Sequence, residues 1–416
     1  MNSRLYYTLI LLTLAQILCY LDRNIISVLI EPIKAELHLS DAYMGFVTGL
    51  GFTLIYSIAG LPIARLADRT SRSRVIAAGL TVWSLATAMG AAAQSGLQLL
   101  LARIAVGLGE GAGVAPMQAL VVDVFPKALR AWGLGVLSVS LWLGTGLGLL
   151  IGGWASHSLG WRGALLLAGG PGLILALFII FTIKEPRPAR QPGQALDSEL
   201  GAALRFIAGQ RTILVGLIGT VFAGGGFMVF LVWTPALLSR MHHLTPVEIG
   251  DIFGPLTFIV GSAGSLASGW IASKLAARDV RWYSVVLSVA CLVTAATFLA
   301  FLFSGDKTAL VVYYGLFMGA GACIQGPYIA LLQTVTHAQL RSFTSAINTA
   351  MTSVGAGLAP YLVGLISDSL ATHVGPELAL RDAMLISVAA LVIGAVCFAI
   401  TAFFIRADTA RAEEMS

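Results

Sequence analysis

Four ionisable side chains stand inside runs of apolar residues: Asp22, Arg23, Arg103 and Glu110. A charge at the centre of a bilayer costs about 2.5–3.5 kcal/mol on insertion scales. Four of them are therefore tolerable only when they pair with one another or face a water-filled cavity. Burial disfavours an ionised carboxylate and a neighbouring guanidinium favours it, so a carboxylate between the two conditions suits proton exchange. Arg103 and Glu110 are seven residues apart, which places them on one helix face, two turns from each other. That is too far for a direct pair, and each is expected to meet the segment that carries Asp22 and Arg23. Two readings follow: a static ion-pair network that fixes helix packing, or a proton and substrate site facing a central cavity. The six histidines lie in or beside loops, so a proton relay falls to the carboxylates.

The elements that hold these residues follow from composition. Of 416 residues, 57% are apolar and 11% charged, with a mean hydropathy of +0.88. A soluble protein carries about 25% charged residues, so the composition excludes a soluble enzyme, a nucleic-acid-binding domain and a disordered chain. Crossing a bilayer takes roughly 20 mostly apolar residues. Twelve such runs can be marked, near 6–30, 42–64, 75–95, 97–121, 131–154, 162–183, 212–238, 248–273, 282–304, 309–335, 342–367 and 383–405. They predict an all-α integral membrane protein of twelve transmembrane helices in two six-helix bundles, residues 1–183 and 212–416, joined by a polar linker at 184–211. The first run reads as a span rather than a cleaved signal, because it continues through Asp22 and Arg23 with no small-residue cleavage site.

Orientation comes from the basic residues. With the N-terminus in the cytoplasm, eighteen Lys and Arg fall on that side and five on the other. The bias predicts that both termini are cytoplasmic, and it turns a net charge of +5 into a topology signal. Of the twenty acidic residues, eighteen read as loop or tail residues. Cys19, Cys291, Cys323 and Cys397 lie singly, without disulfide or ligand spacing, and read as small buried hydrophobes. The glycine runs Gly107–Gly113 and Gly144–Gly148 follow no strand and read as close helix packing rather than a dinucleotide fingerprint.

The loop after the second run reads Ala64-Arg65-Leu66-Ala67-Asp68-Arg69-Thr70-Ser71-Arg72-Ser73-Arg74. It resembles the G-x-L-a-D-R-x-G-R-[RK] signature of the major facilitator superfamily, with Ala64 and Ser71 in place of glycines. Arg103–Glu110 is similar to that superfamily's R-x-x-x-G-x-G motif, and Gly269–Lys274 resembles a worn second copy of the loop signature, with Ser273 in place of its acid. Tyr20-Leu21-Asp22-Arg23 together with Gly109-Glu110 resembles the Spinster branch, whose bacterial members look like the nearest relatives. The resemblance implies the major facilitator fold and alternating access. It also implies Asp22 and Glu110 as the protonatable pair, Arg23 and Arg103 as counter-charges or head-group ligands, and Asp68 with Arg69 as a cytoplasmic gate.

The matching C-terminal spans offer aromatic and amide side chains in place of charge. Asn24, Gln118, Phe227, Trp233, Gln325, Tyr328 and Asn348 are candidate cavity-lining positions. One charged wall and one apolar wall suit an amphipathic anion such as a lysophospholipid or sphingoid phosphate, with a small organic anion or sugar acid as the alternative. Protons would be the coupling ion. No cofactor, metal or nucleic acid is expected, nor an enzymatic role, since no histidine lies in a span and no G-x-S-x-G elbow occurs. A monomer in a bacterial inner membrane is the simplest setting.

Overall fold

The computed structural model describes residues 3–183, 205–337 and 340–414, so most of the predicted linker at 184–211 lies outside the described residues. Every element among the described residues is helical. In chain order they are α1 (Ser3–Leu37), α2 (Asp41–Gly45), a π-helical turn (Phe46–Leu50), α3 (Gly51–Arg69), α4 (Arg72–Gly90), α5 (Gly96–Glu110), α6 (Val114–Val124) and α7 (Lys127–Thr182). The second half adds α8 (Arg211–His242), α9 (Pro246–Ala276), α10 (Arg281–Leu302), α11 (Lys307–Thr334), α12 (Arg341–Val374) and α13 (Pro376–Glu414).

Among the described residues, ten helices are long and apolar enough to cross a membrane. One of the ten is the 56-residue α7, interrupted by Gly160 at φ 70°, a left-handed conformation that favours glycine. That kink falls between the predicted runs 131–154 and 162–183. The 19-residue α4 is not among the ten, because its basic first turn and its Ser, Thr and Gly content dilute its hydropathy. The fold is thus all-helical, with ten to twelve membrane-spanning helices.

Polar residues mark where helices begin. Ser40, Ser71, Ser95 and Asp306 each accept a bond from a backbone N–H three residues on, at the starts of α2, α4, α5 and α11. Those caps satisfy amides that a helix start leaves without partners.

The chain folds as two compact units. The first draws its described residues from Met1–Arg190, Leu231–Phe258 and Pro360–Leu380. Its core includes Leu12, Cys19, Ile76, Leu80, Trp83 and Met117. Glycine brings its helices together: a Cβ at Gly144 would lie 2.5 Å from the Ile17 carbonyl oxygen, and one at Gly148 2.9 Å from that of Leu21. Gly107 likewise abuts Phe52 of α3, and Gly109 abuts Trp83 of α4. These are the two runs predicted to pack helices, and they fix α1 and α5 where the membrane-embedded charges sit.

The second unit draws on Gln191–Phe230, Ile259–Ala359 and Arg381–Ser416. Its core includes Ile213, Leu217, Leu287, Cys291 and Phe398, and in a separate cluster of rings Phe230 stacks on Phe317 at 3.6 Å between centroids and meets Phe298 edge to face at 5.0 Å. Asp408, 2% exposed, accepts from the Thr212 backbone N–H at 2.7 Å and so caps the start of α8.

Candidate functional site

The four embedded charges meet as two cross-helix pairs inside the first unit. Arg23 of α1 bonds through Nε to Oε2 of Glu110, the last residue of α5. Arg103 Nη1 stands 3.5 Å from Asp22 Oδ1. Each α5 charge therefore takes its partner from α1, as the seven-residue spacing implies. The run predicted at 97–121 reappears as one stretch long and apolar enough to cross the membrane, Gly96–Val124, in which the helix is interrupted after Glu110 and resumes at Val114, across Gly111–Gly113. The break places Glu110 at a helix end, with its side chain fully buried.

Burial and wasted bonding capacity define the centre. Asp22 is 2% exposed and Arg103 4%, so neither charge has water to fall back on. Yet Glu110 Oε1, Arg23 Nη2 and Arg103 Nε have no hydrogen-bond partner among the described residues, nor does Gln16 Oε1 seven residues before Arg23. A buried polar atom without a partner costs about 1–3 kcal/mol, more when charged. Three of these atoms belong to the two ion pairs, which keep two donors and one acceptor for water or a polar ligand. Aromatic rings wall the arginines: Arg23 lies 4.5 Å from the Tyr56 ring centre and 5.2 Å from that of Phe52, and Arg103 lies 5.3 Å from Phe52. Phe52 thus faces both cations.

Residues the sequence reading did not single out complete these contacts. Thr87 of α4 donates to Asp22 Oδ2 at 2.5 Å, a shorter contact than the ion pair itself. Cys19 Sγ donates to Glu110 Oε2 at 3.4 Å. Thr145 of α7 accepts from Asn24 Nδ2 at 3.2 Å. Only a side chain's spatial neighbours distinguish these from any other small helix residue.

The candidate lining positions divide by burial. Gln118 and Gln325 are exposed, and Phe227 and Asn348 half-buried. Asn24, Trp233 and Tyr328 are buried: Asn24 bonds to the Tyr20 carbonyl and to Thr145, Trp233 donates to the Pro360 carbonyl at 3.0 Å, and Tyr328 packs on Phe398. All three are thus in contact with other residues of the chain. At the far end of α3, Asp68 accepts from Arg72 Nη2 at 2.8 Å, and the same guanidinium bonds Asp123 of α6. Arg69, expected to share the gate with Asp68, is exposed, and Arg72 takes the pairing because its i,i+4 spacing across the α3–α4 turn brings it alongside. No group of three metal-ligating side chains stands together among the described residues.

The acids at helix ends also depart from the sequence reading, which gave them to loops. Glu31 lies within α1 and Asp251 within α9. Glu31 and Asp41 share Arg240 of α8, and Asp251 accepts from Trp154 Nε1 at 3.1 Å.

Comparison with known proteins agrees with this architecture. Residues 12–360 match the pattern of the Major Facilitator Superfamily. The chain is 32% identical over 93% of its length to an MFS-type efflux pump of Mycolicibacterium smegmatis, covering 90% of that protein. It is 24% identical to the sphingosine-1-phosphate transporter SPNS2 of Danio rerio, across 97% of this chain and 85% of that one. It is 26% identical to a hexuronate transporter of Bacillus subtilis, across 88% and 89%. Among solved structures, a bacterial homologue of the human lysosomal transporter Spinster, in an inward-facing and unoccupied conformation, superposes with a TM-score of 0.87 over 98% of this chain and 99% of that one, at 23% identity.

Proposed function

This chain belongs to the major facilitator superfamily, and we propose that within it the protein is a proton-coupled secondary transporter of an amphipathic anionic lipid, such as a lysophospholipid or a sphingoid phosphate. The observation that carries the reading is the pair of buried arginine–carboxylate contacts with unfilled bonding atoms on both arginines and on Glu110. Protonation of Glu110 or Asp22 cancels the charge that its arginine faces. The freed guanidinium then favours an anionic oxygen, and the open Arg23 Nη2 and Arg103 Nε supply donors for it. Deprotonation restores the pair and releases the anion. Asp22 and Glu110 are the coupling carboxylates here, and Arg23 and Arg103 their counter-charges and head-group ligands.

In this reading twelve spans form two bundles, residues 1–183 and 212–416, that rock about a site near the bilayer midplane. Both termini face the cytoplasm, a monomer suffices, and the protein works in a bacterial inner membrane with protons as its coupling ion and no cofactor. Asp68 with Arg72 and Asp123 holds the cytoplasmic ends of α3, α4 and α6 together. Lipid transport draws support from the Danio rerio relative. The Bacillus subtilis relative favours a second reading, in which the same arginines bind the carboxylate of a small sugar acid.

Binding to the purified protein separates the two. Affinity for a sphingoid phosphate or lysophospholipid is expected to change with pH in the wild type and to lose that dependence in Glu110→Gln. Binding of sugar acids at every pH, with no lipid binding at any, would transfer the assignment to the second reading.

A further inference from the structure

Asp22 has a second partner whose chemistry differs from that of its arginine. Thr87 of α4 donates to Asp22 Oδ2 at 2.5 Å, while Arg103 Nη1 stands 3.5 Å from Oδ1. A hydroxyl carries a single hydrogen, and other threonines in these helices direct it to the carbonyl four residues back. Thr48, Thr81, Thr145 and Thr294 bond in this way to Met44, Ala77, Leu141 and Ala290. Thr87 gives its hydrogen to a carboxylate on another helix instead.

The packing of α4 fixes that aim. One turn before Thr87, a Cβ at Gly109 of α5 would lie 2.6 Å from the Trp83 backbone nitrogen, and one at Gly169 of α7 2.4 Å from the Ser84 carbonyl oxygen. Glycine on both sides thus holds the backbone that presents Thr87, which is 3% exposed. The charged groups that act on Asp22 are Arg103 and Glu110 from α5 and Arg23 beside it on α1. Along the same stretch α7 presents Gly144, Thr145 and Gly148, none of them charged.

The two partners of Asp22 answer a proton differently. A guanidinium only donates, so it has no acceptor for the hydroxyl of a neutral Asp22. A threonine oxygen accepts as well as donates. When Asp22 gains a proton, its new O–H turns to Thr87 Oγ1, and the threonine hydrogen rotates to a carbonyl of its own helix, where the other threonines already place theirs. Arg103, whose Nε has no partner among the described residues, is then released without stranding the acid.

We propose that Thr87 is a positioning residue for proton coupling, which holds the Asp22 carboxyl in one orientation in both of its protonation states. The inference rests on the reading of Asp22 as a coupling carboxylate. As a donor to the ionised form, Thr87 favours that form, so its loss moves the protonation of Asp22 to higher pH.

The test is an infrared titration of the purified full chain in lipid vesicles, read at the C=O stretch of protonated carboxylic acids. The part of that band lost in Asp22→Asn reports Asp22. Its midpoint is expected to rise by about one pH unit in Thr87→Val, which keeps the shape of the side chain and removes the hydroxyl, and to return in Thr87→Ser. Thr81→Val, on the same helix but with its hydroxyl on the Ala77 carbonyl, should leave the midpoint unchanged. Thr87→Ala replaces Thr87→Val if that variant does not unfold cooperatively. A midpoint that stays or falls on loss of the hydroxyl, or rises equally in Thr87→Ser, overturns the role of Thr87 and leaves Asp22 as a coupling carboxylate. An Asp22 band that appears at no pH in the wild type overturns that coupling role, and this inference with it. The titration needs no substrate, so failure of lipid binding leaves it intact.

Discussion

At the residue scale, the account rests on what a charge can do when water is withheld. Glu110 is fully buried against Arg23, and Asp22 lies between Arg103 and Thr87. Removal of one partner from a buried pair costs about 3–5 kcal/mol, because the other charge stays behind. Arg103→Ala is therefore expected to lower the unfolding temperature clearly, whereas Arg103→Ala with Asp22→Asn recovers most of the loss. A melt that treats the two variants alike would show the contact to be energetically idle. The four charges were legible in the sequence because an apolar run makes an ionisable residue conspicuous. Thr87, Cys19 and Thr145 were not, since a hydroxyl or thiol in a helix usually bonds its own backbone or nothing. Asn24 and Trp233 stand out in the sequence as a polar and an aromatic tip inside a span, and their bonds to Thr145 and to the Pro360 carbonyl come into view only in the fold.

At the element scale, small residues place the charges. The Gly144, Gly148 and Gly152 stripe of α7 lets it approach α1 along Ile17–Ile25, the stretch that contains Asp22 and Arg23. Gly148→Leu would force those backbones apart, at an overpacking cost of about 1–3 kcal/mol. It is expected to weaken lipid binding and stability together, whereas Gly60→Ala should affect neither. Equal effects of the two substitutions would separate the stripe from the site. Periodicity and composition announced that packing. They did not announce the break after Glu110, because a glycine run inside an apolar stretch reads equally well as continuous helix. Nor did they place Glu31, Asp41 and Asp251 in or at the ends of helices, since acids at a boundary look like loop residues until partners such as Arg240 and Trp154 come into view.

At the scale of the whole molecule, hydropathy carries most of the information, because a bilayer tolerates few architectures. The apolar runs reappear as long helices, even where α7 joins two of them through Gly160. The basic residues make a further prediction, with eighteen on one side and five on the other. Epitope tags at either terminus should be reached by antibody only after the membrane is permeabilised, and a tag accessible on intact cells would reverse the orientation. The four embedded charges all lie in the first unit, whereas the core of the second is apolar, with Ile213, Leu287, Leu331 and Phe398 among its residues.

The most direct test of the coupling claim is movement of a labelled sphingoid phosphate in vesicles that contain the purified chain, with and without an imposed pH gradient, wild type beside Glu110→Gln. The account predicts that the gradient accelerates movement in the wild type and has no effect in the variant. Equal acceleration in both would contradict it, and would return the Arg23–Glu110 pair to a purely structural role.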